Sequence, residues 1–188
     1  MLYHVSDQQG LKVLEPRVST HGKAYVYAIE NLVTGLLFGT KQDDFDFLLT
    51  TYENKRPTVF ECYPDAFRTI YQGKGCSVYV LDETGFLRGM TSWSPELVCE
   101  SSVAVQEEIP VPDLYERLLE EEAAGTLVVR RYEYSDEYRK MIAGHVVDRL
   151  IRFGIKLEGL EDRNHRFATH YKELLMGLRS VLDGHLLK

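Results

Sequence analysis

The chain has 188 residues, enough for one ordinary domain or for a core domain with a helical extension. Its 44% hydrophobic content lets a core form without disulfides or metal. The formal charge of −7 argues against general nucleic-acid binding, because a phosphate backbone calls for a basic surface.

Residues 1–5 read as a short strand with His4 among β-formers, followed by a turn from Ser6 to Gly10. Leu11 to Leu14 form a second extended piece, stopped by Pro16. Residues 24–29 make a Tyr-rich strand in which Tyr25 and Tyr27 share one face by the two-residue period. Glu30 and Asn31 then start a helix through Leu32, Leu36 and Leu37, which Gly39 stops. Phe45 to Tyr52 and Thr58 to Cys62 read as a hairpin around a turn at residues 54–57. Pro64 and Asp65 open one or two helical turns through Ile70, broken by Gln72 to Gly75. Cys76 to Leu81 is the clearest strand of the middle region. Asp82 to Gly89 is read as a loop over a cleft, and Glu96 to Val105 as a β-rich stretch ended by Pro110 and Pro112.

Beyond those prolines Asp113 caps a helix with Leu114, Leu118 and Leu119 on one face. Thr126 to Tyr132 is β-branched and reads as a strand. Ser135 caps a longer helix through Phe153, and a linker at 156–164 precedes a final helix carrying Phe167, Tyr171, Leu174, Leu178 and Leu182. Strands first and helices last fit an α+β chain, divided into a β-rich core over 1–110 and a helical C-terminal extension over 113–188 packed on that core.

Cys62, Cys76 and Cys99 lack C-x-x-C spacing and read as reduced, packed thiols of an intracellular protein. The six histidines show no metal-ligand spacing, and no metal site is expected. No apolar run reaches the length of a membrane span, and the opening residues carry no basic segment followed by an apolar one. The expected location is the cytoplasm, without a membrane partner.

A His-bearing first strand followed by a Tyr-rich strand offers an imidazole and phenol rings to one cleft, which suits a planar ligand carrying sugar hydroxyls. Lys12, Arg17, His21 and Lys23, clustered before the Tyr-rich strand, could meet a pyrophosphate. Over residues 1–109 the order of elements resembles the ADP-ribosyltransferases, particularly the small rifampin-modifying type. That resemblance implies NAD as a substrate, with His4 and Ser6 on the first strand binding it and Tyr25 or, better, Tyr27 stacking on nicotinamide. It implies an acid at the start of a late strand to stabilise an oxocarbenium-like state. Glu100 is the candidate, with Asp82 and Glu96 as rivals. Val5 departs from the glycine usual in the family, and no E-x-E pair stands at Glu100.

Three functions follow from the resemblance. One is ADP-ribosyl transfer to a protein, nucleic acid or small-molecule acceptor. A second is a related transferase acting on 2′-phosphorylated RNA ends, which needs more cations than the 12–23 cluster supplies. The third is a catalytically silent binding or regulatory module on the same fold.

Overall fold

A computed structural model of the chain describes residues 1–18, 22–40, 49–53, 56–91 and 93–153. In chain order the elements are β1 (Leu2–Ser6), β2 (Val13–Leu14), β3 (Arg17–Val18), β4 (Ala24–Ile29), α1 (Leu32–Leu36), β5 (Leu49–Glu53), β6 (Arg56–Phe60) and α2 (Ala66–Tyr71). They continue with β7 (Cys76–Leu81), β8 (Leu87–Arg88), β9 (Glu96–Cys99), β10 (Val103–Ala104), β11 (Glu107–Val111), α3 (Leu114–Ala123), β12 (Val128–Arg130) and α4 (Asp136–Phe153). Strands dominate the first part and few helices accompany them, so the chain is α+β as its patterning predicts. Contacts group it into two units, Met1–Lys41 with Ile70–Val128, and Gln42–Thr69 with Val129–Lys188.

The first unit is built on an antiparallel sheet in the order β11-β7-β1-β4-β9-β8, with β3 also paired to β4. The core of this sheet follows from alternation. Leu2 on β1, Val26 and Ala28 on β4, Tyr79 and Leu81 on β7, and Leu97 and Cys99 on β9 point to one face, where they bury a cluster with Leu14. β7 is buried along its whole length, because β1 and β11 flank it and apolar groups meet both its faces. The opposite face of β1 and β4 carries Val5 and Ile29, on which α1 packs through Gly35. The Asn31 side chain caps α1 by accepting from Thr34 N at 2.9 Å. Asp113 caps α3 in the same way, accepting from Tyr115 N and Glu116 N at 2.9 and 3.2 Å.

In the second unit β12, β6 and β5 form a three-stranded sheet with β6 in the middle. Glu61, at the end of β6, is buried, and its carboxylate takes two backbone donors, Phe67 N at 3.0 Å and Tyr132 N at 2.9 Å. Its own backbone N–H donates to Arg130 O at 3.0 Å, and its carbonyl accepts from Tyr138 Oη at 3.0 Å. Ser135 Oγ accepts from Tyr138 N at 3.2 Å at the start of α4, as its place in the sequence predicts.

Several local expectations are corrected. Pro110 lies inside a strand, β11, rather than marking the end of the β-rich stretch. The strand is terminal in the sheet order, the place where a sheet tolerates proline. Arg56 and Pro57 belong to β6 rather than to a turn, their register running Tyr52↔Pro57 and Glu53↔Arg56. The loop expected from Asp82 to Gly89 contains β8, which pairs Leu87 with Val98. The β-rich stretch from Glu96 is two strands in different sheets, β9 with β4 and β10 with β2. The start of the strand expected from Phe45, and everything expected beyond Phe153 including the final helix, lie outside the described residues.

Candidate functional site

The cleft arises where β1 and β4 part. Their ladder joins Tyr3 to Ile29, and beyond that point a side chain takes over from the backbone. His4 Nδ1 lies 2.8 Å from the Tyr27 carbonyl oxygen. A carbonyl only accepts, so Nδ1 carries the proton and Nε2 keeps its lone pair. Burial pushes the imidazole below its ordinary pKa. The bond to Tyr27 works against that, and the Arg17 cation adds to it. At neutral pH the ring is therefore uncharged.

Beyond Tyr3 and Ile29 the strands enclose a cleft of about 400 Å³, lined by His4, Ser6, Tyr25 and Tyr27 together with residues of the segment that follows β1. The four residues assigned by sequence to ligand binding thus meet at one place. They do not meet as a single aromatic wall. The Tyr3↔Ile29 register sets Tyr25 and Tyr27 on the face of Tyr3 and Val5, opposite His4 and Ser6. The imidazole reaches Tyr27 through its carbonyl, and the two phenol rings stand edge to face at 5.9 Å and 84°. Tyr25 is buried with Lys23 Nζ 5.4 Å from its ring centre, while Tyr27 is only half-buried. Of the two rings, Tyr27 is the one with surface to offer a ligand.

Ser6 is engaged locally, its Oγ accepting from Gln8 N at 3.2 Å. Arg17, on β3, also lines the cleft and reaches Gln8 Oε1 at 3.4 Å. Lys23, from the same basic cluster in the sequence, pairs instead with Glu100, Nζ to Oε1 at 2.6 Å. His21 lies outside the described residues.

Glu100 stands elsewhere. Together with Asp82 it lines a second cavity of about 490 Å³, bordered by the turn from Cys99 to Ser102. Asp82 there acts as a turn residue, its Oδ1 accepting from Thr84 N at 2.8 Å; the Thr84 hydroxyl, together with this backbone bond, holds the carboxyl below its ordinary pKa. Glu96 opens β9 opposite Ile29. The carboxylates lining the first cleft are Asp7 and Glu15, neither of which stood out in the sequence. Glu15 accepts a hydrogen bond from Ser102 Oγ.

Sequence reasoning also missed the residues behind the cleft wall. Tyr79 lies within the Cys76–Leu81 strand with no sign of a second role, and Glu108 carries no signal of its own. No local pattern marks their shared contact with the segment after β1.

Among the described residues no group of three or more His, Cys, Asp or Glu is placed to hold a metal ion, and no helix is long and apolar enough to cross a membrane. The arrangement can do three things: accept a hydrogen bond at a neutral imidazole, offer the half-buried Tyr27 ring to a planar group, and meet an anion at Arg17. No protein-family model, no curated protein and no solved structure matches the chain.

Proposed function

We propose that the chain is a binding or regulatory module that takes NAD, or a ligand of the same planar, sugar-bearing and anionic character, in the cleft between β1 and β4. One observation carries this reading: His4, Ser6, Tyr25 and Tyr27 line one cleft, while Glu100 lies in another cavity beside Lys23. The cleft volume is within the range of small-ligand sites, and Tyr27 and Arg17 suit a nicotinamide ring and a pyrophosphate. ADP-ribosyl transfer is the second reading, favoured by the two carboxylates, Asp7 and Glu15, that the cleft itself contains. On that reading one of them, rather than Glu100, favours the developing positive charge.

The test is thermal unfolding with millimolar NAD. A ligand bound by the native state alone raises the melting temperature, and Tyr27→Ala is expected to reduce that rise. An unchanged melting temperature in the wild type defeats the NAD reading. Release of nicotinamide on incubation with NAD would move the conclusion to the transferase.

A further inference from the structure

The segment between β1 and β2 forms one wall of the cleft, through Asp7, Gln8 and Leu11, and belongs to no strand. Three of its backbone groups, Gln8 O, Gly10 N and Leu11 N, are met by two side chains from the far side of β1. Tyr79, on β7, is fully buried, yet its hydroxyl donates to Gln8 O at 2.7 Å and accepts from Leu11 N at 3.3 Å. Glu108, on β11, accepts from Gly10 N and from Ser77 Oγ, both at 2.8 Å, with the Tyr79 hydroxyl 3.3 Å from the same oxygen. Gly10 has φ +75°, a left-handed turn that suits glycine and brings its N–H to Glu108.

Packing alone does not explain this pair. Phenylalanine would fill the Tyr79 core position as well as tyrosine, since the hydroxyl adds nothing to an apolar cluster. Tyr79 is also the register partner of His4, their ring centres 6.3 Å apart. One side chain therefore borders the imidazole and fastens the wall opposite it. The Gly10 N–H, with the Ser77 hydroxyl, holds the Glu108 carboxyl below the usual carboxylate range, so the group is an anion at neutral pH.

We infer that Tyr79 and Glu108 are positioning residues of the cleft, which fix residues 7–11 as its wall and so set its affinity for ligand. The consequence for affinity rests on the NAD reading above, whereas the fastening of the wall does not.

The test compares full-length wild type with Tyr79→Phe, Glu108→Ala and Glu108→Gln, by amide hydrogen exchange and by calorimetric titration with NAD. Tyr79→Phe and Glu108→Ala are expected to speed exchange at Gly10 and Leu11 about tenfold, with the amides of β9 unchanged. In both variants the NAD Kd should rise about tenfold. Glu108→Gln keeps a carbonyl oxygen for Gly10 N and Ser77 Oγ, and should stay within about threefold of the wild type on both measurements. Unchanged exchange at Gly10 and Leu11 in both Tyr79→Phe and Glu108→Ala overturns the inference. Faster exchange with an unchanged Kd overturns the positioning role. If the wild type takes up no NAD, the ligand reading fails and the exchange rates by themselves decide whether the wall is fastened.

Discussion

A methyl group added at Gly35 would lie 3.0 Å from Cγ2 of Val5 and 3.2 Å from Cγ2 of Ile29, so α1 rests on the sheet at the contact between Gly35 and Val5. The valine that departs from the glycine expected at position 5 is matched by a glycine in the helix above it. Gly35→Ala is expected to destabilise the protein by about 1 kcal/mol, the overpacking against Val5 and Ile29 exceeding the helix-propensity gain of alanine. Adding Val5→Ala should recover part of that loss, and denaturant unfolding of the single and double variants measures the coupling. Strict additivity would mean that the two residues do not share the contact.

His4 predicts a pH dependence. Its folded-state pKa lies below the ordinary 6.5, so the unfolded chain binds a proton more readily than the folded one. The stability contributed by the neutral imidazole is present above about 6.5 and lost as pH falls from there through the lowered folded value. His4→Asn keeps an N–H for the Tyr27 carbonyl but cannot titrate. Between pH 7.5 and 5 the wild-type melting temperature should fall more than that of His4→Asn, and parallel curves would contradict the assignment.

Glu61 holds two backbone N–H groups with one buried carboxylate. Glu61→Gln supplies one acceptor oxygen and turns an amide donor toward the other N–H. An expected loss of about 1–3 kcal/mol, read from denaturant midpoints, follows from the donor left without its partner. A change within error would show that water or a side-chain shift replaces the bond.

Glu100→Gln removes a carboxylate that lies outside the cleft and is half exposed in its pair with Lys23. NAD affinity should be unchanged, and stability nearly so, because an exposed ion pair contributes little. A large fall in affinity on calorimetric titration would bring Glu100 back into the ligand site.

What the sequence made legible is what short-range rules govern. Cys76 to Leu81 is a short β-branched and aromatic run that fixes β7, and Asn31, Asp113 and Ser135 each cap the helix that their side chains announce. Two-residue pieces such as β3 and β8 carry too little pattern to be seen alone and exist because β4 and β9 offer edges to pair with. The same limit applied to the cleft. His4 and the tyrosines are legible from their strands, whereas only the order of elements points to Glu100, and that order says nothing about the side to which a turn directs its carboxylate. Tyr79 and Glu108 were beyond reach, since their partners in residues 8–11 are defined only by the register of β1, β7 and β11.

The register of β1 with β7, from Leu2↔Leu81 to Ser6↔Ser77, has a consequence for how the chain is made. Leaving the ribosome, β1 has only the single rung to β4 available until Cys76–Leu81 has also been synthesised. For that interval β1 waits without the neighbour whose Leu81 pairs with its buried Leu2, and pairing it afterwards means closing a long loop against chain entropy. The rate at which β7 is delivered, rather than the propensity of β1, then governs how quickly the sheet assembles and how long its first strand stays open to wrong partners.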